Sequence, residues 1–447
     1  MRRAGGEAPP GAPVPSPEEE QRKKATVIHA VYLIAALDIT WMFLQFSVTP
    51  YLAKKLGFDT LWFGYLQTTV GVIQLIGGPM FGRFADLFGA RLALSLSCSA
   101  TIVFFLLLAI ANHPAMLFIH KLPTVFMHVL PASQMVIADL SEPENCADAL
   151  AKLGLCFGIG MITGSTLGGH LITRYGETFT ACVGAAGSAF SLLLVLKFIP
   201  KTTKTQAAAA DAHSQNTNKS VFSVGEITRL MKFPGVVRTF AVKIVAGLPS
   251  GIFQVMFSII ALDFFKLQPE QNGYLMAYFG IVNMFIQGGV MGPLTARFTE
   301  NSLLALSVGV ASLVGLAQAY MQNVFQLCLT IVPMMFSLSV FNVITDTMLT
   351  KSVPSTDTGD HSYVIIKSFI IKTWLFIEPA LLLCAGTMMG LCASVQSLLR
   401  TVGPTVGGFL YVNYGLPSIG LAQFVVNAGV FVYLLRPHLE KTPERRE

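Results

Sequence analysis

Apolar runs and short polar breaks alternate along almost the entire chain. The first six runs cover about residues 26–51, 61–81, 92–112, 116–140, 150–172 and 179–199. KTTKTQAAAADAHSQNTNKS then forms the longest polar stretch, and a short amphipathic piece follows around residues 222–233. Six more runs cover about residues 239–265, 273–297, 303–321, 325–349, 388–412 and 418–435. A helix crosses the hydrocarbon core of a bilayer with about 20 mostly apolar residues, so each run predicts one membrane-spanning helix. A further apolar segment at residues 363–385 fits no twelve-span count. The pattern predicts an all-α membrane protein with a disordered tail at 1–24, six helices at 25–199, a linker at 200–237, six helices at 238–435 and a tail at 436–447.

Internal repetition divides the spans six and six. Gly64-Tyr65-Leu66 with Gly71 recurs as Gly273-Tyr274-Leu275 with Gly280, an offset of 209. Val136-Ile137 before Asp139 recurs as Val343-Ile344 before Asp346, an offset of 207. Gly164, Gly168-Gly169 and Tyr175-Gly176 recur as Gly403, Gly407-Gly408 and Tyr414-Gly415, where the offset has jumped to 239. Some 30 residues therefore entered the second half after Asp346. Residues 360–386, with Lys367, Lys372 and Glu378 among apolar neighbours, are expected to be that insertion. Two parallel six-span halves joined by a polar linker are the layout of transporters that rock about a midplane site, although layout alone names no cargo.

Composition sharpens this. Hydrophobic residues make up 53% of the 447 and charged residues 12%, against roughly 25% charged in a soluble domain. Nine charges lie in the first 24 residues and seven in the last twelve, leaving the middle to lipid. A soluble enzyme and a single-span receptor are excluded by that distribution. The net charge of +6 comes from tails and short loops without an aromatic-studded basic stripe, which argues against nucleic acid. The seven cysteines show neither metal spacing nor a disulfide framework, and no cofactor is expected. Placing tails and linker in the cytosol puts most short-loop Lys and Arg inside, with Lys54, Lys55, Arg174 and Lys266 outside.

The loop after span 2 reads Gly82-Arg83-Phe84-Ala85-Asp86-Leu87-Phe88-Gly89-Ala90-Arg91. Gly allows a close turn, Asp86 can cap the next segment or pair across the halves, and Arg91 adds a cation. This spacing resembles the G-x-x-x-D-x-x-G-x-R loop of the major facilitator superfamily. The resemblance implies a gating latch made by Gly82, Arg83, Asp86, Gly89 and Arg91. The second-half copy, ending at Arg297, has Ala296 where Asp86 stands. Span 5 carries Gly160, Gly164, Gly168 and Gly169, and span 11 carries Gly403, Pro404, Gly407 and Gly408, small residues for close packing and a bend. The superfamily's exporters have a similar run in span 5 with Pro where this chain has Ser165.

Charges within spans are costly, roughly 2.5 to 3.5 kcal/mol each at a helix centre, and so mark function. Asp38 lies midway along span 1 with Trp41 and Gln45 on the same helical face. A carboxylate in a dry cavity holds a proton tightly and can exchange it for a cation that an aromatic ring supports; the alternative is a buried structural pair. Arg400, deep in span 11, is either the counter-charge to such an acid or an anion contact. Lys243 lies five residues after Arg238, close enough to the end of span 7 to snorkel to headgroups. Lys121 and Gln134 resemble the superfamily's basic and Gln positions in span 4. Asp139 and Asp346 serve as caps or gates, and Gln67, Gln74, Asn283, Gln287 and Asn342 are candidates to line a polar cavity.

Longer strings, including QFSVTPYLAKKLG, MHVLPASQMVIADLS and LLRTVGPTVGG, resemble the organic cation transporter-like members of solute carrier family 22. That resemblance covers about residues 26–438 and implies proton-coupled transport of organic cations or drugs at a plasma or apical epithelial membrane. In those relatives Thr358-Gly359 would run directly into Thr387-Met388. The family's organic cation transporters carry a long glycosylated loop between spans 1 and 2, whereas this chain has only AKKLGFDT there, a layout closer to bacterial drug:proton antiporters. The expected partners are a small organic cation, protons and the bilayer. A membrane scaffold working through its tails and linker, or an anion exchanger using Arg400 and Lys121, remain as alternatives.

Overall fold

The computed structural model describes residues 17–140, 143–200, 235–351 and 382–436. The first bundle runs through α1 (Pro17–Lys55), α2 (Thr60–Phe88), α3 (Ala90–Ala109), α4 (Pro114–Ile119), α5 (Val129–Leu140) and α6 (Pro143–Phe198). The second runs through α7 (Val236–Asp263), α8 (Pro269–Phe285), α9 (Met291–Arg297), α10 (Glu300–Tyr320), α11 (Val324–Lys351), α12 (Leu382–Tyr414) and α13 (Leu416–Leu435). Among the described residues nine helical stretches are long and apolar enough to cross a membrane. The longest bends at Gly176 into two limbs, and α2 and α12 are two further long helices, so the described residues hold twelve rods, as a multi-pass membrane protein of two six-helix bundles requires. Large apolar side chains such as Leu33, Phe190, Leu193, Phe285 and Leu313 face outward, an arrangement suited to lipid.

Local chemistry sets the ends. Asp59 caps α2 by accepting from Trp62 N at 2.8 Å, Gln268 and Gln271 form a reciprocal box at α8, and Thr299 caps α10. Gly176 and Gly415, repeat mates, turn the chain with φ of 82° and 74°, where a side chain would be strained.

The repeat is visible as contacts between bundles. A Cβ on Gly64 would fall 2.5 Å from the Pro404 carbonyl oxygen, and one on Gly273 would fall 2.5 Å from that of Ser165. Gly71 meets Thr401 just as Gly280 meets Ile162. Each residue of one set matches its counterpart through the offsets of 209 and 239, so α2 against α12 and α8 against α6 are the same interface built twice. The Ser165-for-Pro difference therefore leaves the packing intact, because the partner glycine rests on the backbone carbonyl.

Two differences from the expected rods have physical causes. Span 4 is interrupted: a 3₁₀ turn at Leu122–Phe126, containing Pro123, separates α4 from α5. His128 N donates to Ser97 Oγ at 2.7 Å and Thr124 Oγ1 to the Lys121 carbonyl at 2.6 Å, satisfying groups the break would leave bare. Span 8 contains a π turn at Ile286–Val290, which includes Gly288 and Gly289.

The expected disordered tail at 1–24 is corrected over 17–24, which form the start of α1; residues 1–16, the linker segment 201–234, the insertion up to 381 and the tail from 437 lie outside the described residues, and 382–386 continue into α12. The adjoining ends of α6 and α7, and of α11 and α12, lie at one end of the molecule, called here the linker end.

Candidate functional site

Asp38 sits half-buried in the middle of α1, within electrostatic reach of Cys98 on α3. Among the described residues it has no hydrogen-bond or ion-pair partner. The aromatic neighbour expected beside it is engaged elsewhere: Trp41 Nε1 donates to Ser191 Oγ at 3.4 Å and its ring rests against Gly187 on the second limb of α6. Two turns along, Gln45 Oε1 accepts from the Lys121 ammonium at 3.2 Å and from Thr49 at 3.1 Å. Lys121 is 2% exposed, and its Nζ lies 5.0 Å over the Phe104 ring, which also stacks on His120. Gln134 on α5 is fully buried. The helix break after His120 brings Lys121 to Gln45, joining spans 1 and 4.

In the second bundle a small cavity of about 30 Å³ opens between α7, α11 and α12. Lys243, Gln254, Phe341, Asn342 and Arg400 are among its lining residues. Snorkelling of Lys243 is corrected: it is 3% exposed and its ammonium donates to the Asp346 carboxylate on α11. Asp346 is likewise buried and serves as the partner of that cation instead of as a cap; taking both charges from water demands such a pair. Arg400 is exposed toward the cavity and among the described residues has no ion-pair partner. Asn342 is half-buried on the cavity wall. Asn283 bonds to Gln287 at 3.0 Å on the same span, and Gln67 and Gln74 are half-buried on α2.

At the linker end, Gly89 closes α2 with φ 84° and its N–H reaches the Ala85 carbonyl. Arg91 donates to the Leu196 carbonyl at 2.6 Å, inside the first bundle. Gly82 has open space around it. The side chains of Arg83, Asp86 and Asp139 lie outside the described residues, as do those of Lys367, Lys372 and Glu378. The span 5 glycines have definite uses: Gly160, Gly164 and Gly168 meet Ile39, Thr40 and Leu44 of α1, while Gly169 meets Pro269 of α8. Gly403 and Gly407 meet Ile252, Gly408 meets Leu61, and Pro404 lies inside α12.

Residues overlooked in the pattern close the end opposite the linker. Lys54 donates to Asp263 at 2.5 Å, Thr60 lies 3.4 Å from the same carboxylate, and Tyr51 donates to the Leu267 carbonyl at 2.9 Å. Lys54 and Asp263 are 209 residues apart, the repeat offset itself, so a search for opposite charges at that spacing would have found them. His170 and Glu270 lie 3.3 Å apart in a second bundle-to-bundle contact. Among the described residues no cluster of His, Cys, Asp and Glu is placed to share a metal ion.

The Major Facilitator Superfamily profile matches residues 30–362. The chain is 46% identical over 432 residues to human "Solute carrier family 67 member A1", covering 95% of this chain and 94% of that protein. Rat "Solute carrier family 22 member 18" is 46% identical, with 94% and 96% covered. "Tetracycline resistance protein, class H" of Pasteurella multocida is 24% identical over 66% of this chain and 73% of its own. Among solved structures, the nucleoside transporter NupG superimposes with a TM-score of 0.62 at 16% identity, covering 92% of this chain and 100% of that one. The human organic anion transporter MFSD10 (TETRAN) does so with 0.59 at 17% identity, covering 92% and 99%.

Proposed function

Because the chain belongs to the Major Facilitator Superfamily, we propose that it exchanges an organic cation or amphipathic drug for protons by alternating access between its two bundles. The linker end faces the cytosol and the membrane is the plasma membrane, apical in epithelia. The observation that carries this reading is Asp38: an ionisable group half-buried in the middle of a membrane helix, without a hydrogen-bond or ion-pair partner among the described residues. A carboxylate in that position binds either a proton or a cationic group, and that choice is the basis of exchange. Gln45, two turns along, and the Lys121 ammonium bonded to it make a polar pair in the same bundle. The drug-resistance names of the bacterial relatives agree with a xenobiotic cargo.

The test is uptake into proteoliposomes driven by an imposed pH gradient, with lipophilic cations as probes. Asp38→Asn is expected to abolish gradient-driven uptake while leaving the protein folded. Uptake that persists in this variant would falsify the proton-exchange reading. A second reading, anion transport, is favoured by Arg400, an exposed cation on the cavity wall. It gains the field if Arg400→Ala, and not Asp38→Asn, removes uptake of an anionic probe.

A further inference from the structure

In the cavity between α7, α11 and α12, polar side chains of the second bundle meet with nothing to bond. Arg400, Asn342 and Gln254 line it together, and none of the three side chains has a hydrogen-bond or ion-pair partner among the described residues. Lys243 lines the same cavity, but its charge is met by the Asp346 carboxylate. These groups together leave one uncompensated positive charge, carried by a guanidinium with two amides on the same wall. A guanidinium offers N–H donors in a flat fork and each amide adds two more, so donors prevail over acceptors there.

The fold does not require these groups. Through the repeat offsets of 207 and 239, Asn342 matches Met135 and Arg400 matches Met161, so the first bundle fills the same places with thioethers. Gln254 matches Gln45, which the first bundle uses as the acceptor for Lys121. In the second bundle that amide has no such partner, because the buried ammonium of Lys243 is turned to Asp346. Gly247 stands at the repeat position of Asp38 and brings no carboxylate to the cavity. Gly251 keeps the space clear, since a Cβ there would meet nothing within 4 Å.

Size narrows the ligand. A water-sized group needs roughly 10–15 Å³, so a cavity of about 30 Å³ takes two. Two oxygens on one carbon fit that space, and a flat fork of donors matches them bond for bond. A phosphate or an aromatic ring is too large to enter whole.

We propose that Arg400, Asn342 and Gln254 form a carboxylate-binding subsite in the second bundle, with Arg400 as the bidentate donor and the two amides as side donors. This subsite deepens the anion reading of Arg400 and is independent of Asp38 and of proton exchange. The carboxylate comes from one of two sources, a free small acid or the acidic end of a larger cargo that reaches in past the exposed side of Arg400.

The test is the thermal stability of the full chain in nanodiscs at constant ionic strength, with sodium formate titrated against sodium chloride. Formate is expected to stabilise saturably and chloride to have no such effect. Arg400→Gln should weaken formate binding about ten- to a hundred-fold, the contribution of a charge-assisted hydrogen bond. Arg400→Lys should fail to restore it, because an ammonium is a point charge without the planar fork. Asn342→Leu and Gln254→Leu should each weaken binding about two- to ten-fold. Gly251→Val leaves every charge in place and fills the space, so it should abolish binding, while Asp38→Asn should bind formate as the wild type does. Benzoate binding more tightly than formate supports the subsite and assigns the carboxylate to an organic cargo; the reverse order supports it and assigns a free small acid. Equal stabilisation by chloride, or full affinity in Arg400→Lys or Gly251→Val, overturns the proposal. So does a wild type that formate leaves unchanged, which gives the cavity to water. If Arg400→Ala still removes uptake of an anionic probe in that case, the anion reading stands and the carboxylate subsite alone is lost.

Discussion

In α1 the intramembrane charge is an acid, Asp38, and the described residues around it leave it without a hydrogen bond or ion pair. In α7, the helix that repeats α1, the charge is a base, Lys243, one turn nearer the linker end, and it is buried against Asp346 of α11. In the second half that charge is paired with its neighbour, while Arg400 stands on the cavity wall without an ion pair among the described residues. The first half carries Asp38 without a described partner and, apart from it, the buried ammonium of Lys121 against Gln45. The two halves thus share a backbone plan and differ in charge: one holds a buried ion pair, the other an acid without a described partner.

The largest expected effect breaks the balanced side. Asp346→Asn leaves the Lys243 ammonium buried beside a neutral amide, which should cost about 3 to 5 kcal/mol in thermal unfolding of the purified protein. Replacing both residues together, Lys243→Met with Asp346→Leu, should recover most of that loss, since the pair contributes little beyond its own neutralisation. Next come the shared contacts. Gly64→Leu and Gly273→Leu should each destabilise by about 1 to 3 kcal/mol, and by similar amounts, because the added side chain meets a carbonyl at the same distance in both interfaces. A cost confined to one of them would show that the repeat is geometric without being energetic.

Thr68→Val should cost about 1 kcal/mol, for it removes the bond to the Thr401 carbonyl at 2.8 Å and the one to Thr405 at 2.7 Å. The residue at the corresponding place in α8, Ala277, has no side-chain bond to lose. The smallest effect on stability belongs to Asp38→Asn, expected within about 1 kcal/mol of wild type because no described partner is stranded, while gradient-driven transport is lost. A large loss of stability in this variant would mean that Asp38 is a structural charge and that the halves differ less than their side chains suggest.

Much of this was legible before any coordinates. Spacing of apolar runs located the rods, and recurring glycines predicted the twofold plan that the contacts of Gly64, Gly71, Gly273 and Gly280 reproduce. Periodicity has no means of seeing the break in span 4, because a 3₁₀ turn around Pro123 keeps the same apolar content as a helix. The fate of Lys243 was hidden for a different reason. Its distance from the helix end allows snorkelling, and only the approach of a helix 103 residues later supplies the carboxylate that draws it inward.

Chain order and side-chain type by themselves determined that this protein lives in lipid, that it is built from two copies of one plan, and that a few charges stand where hydrocarbon should be. Hydration free energy and helix length act on each segment locally, so they can be read from a line of text. Tertiary structure alone decided which of those charges met. Lys243 found Asp346, Lys54 found Asp263 across the axis, and Asp38 found no described partner. Charge pairing depends on distance in space, falling away within a few ångströms, and helix packing sets that distance between residues far apart in sequence.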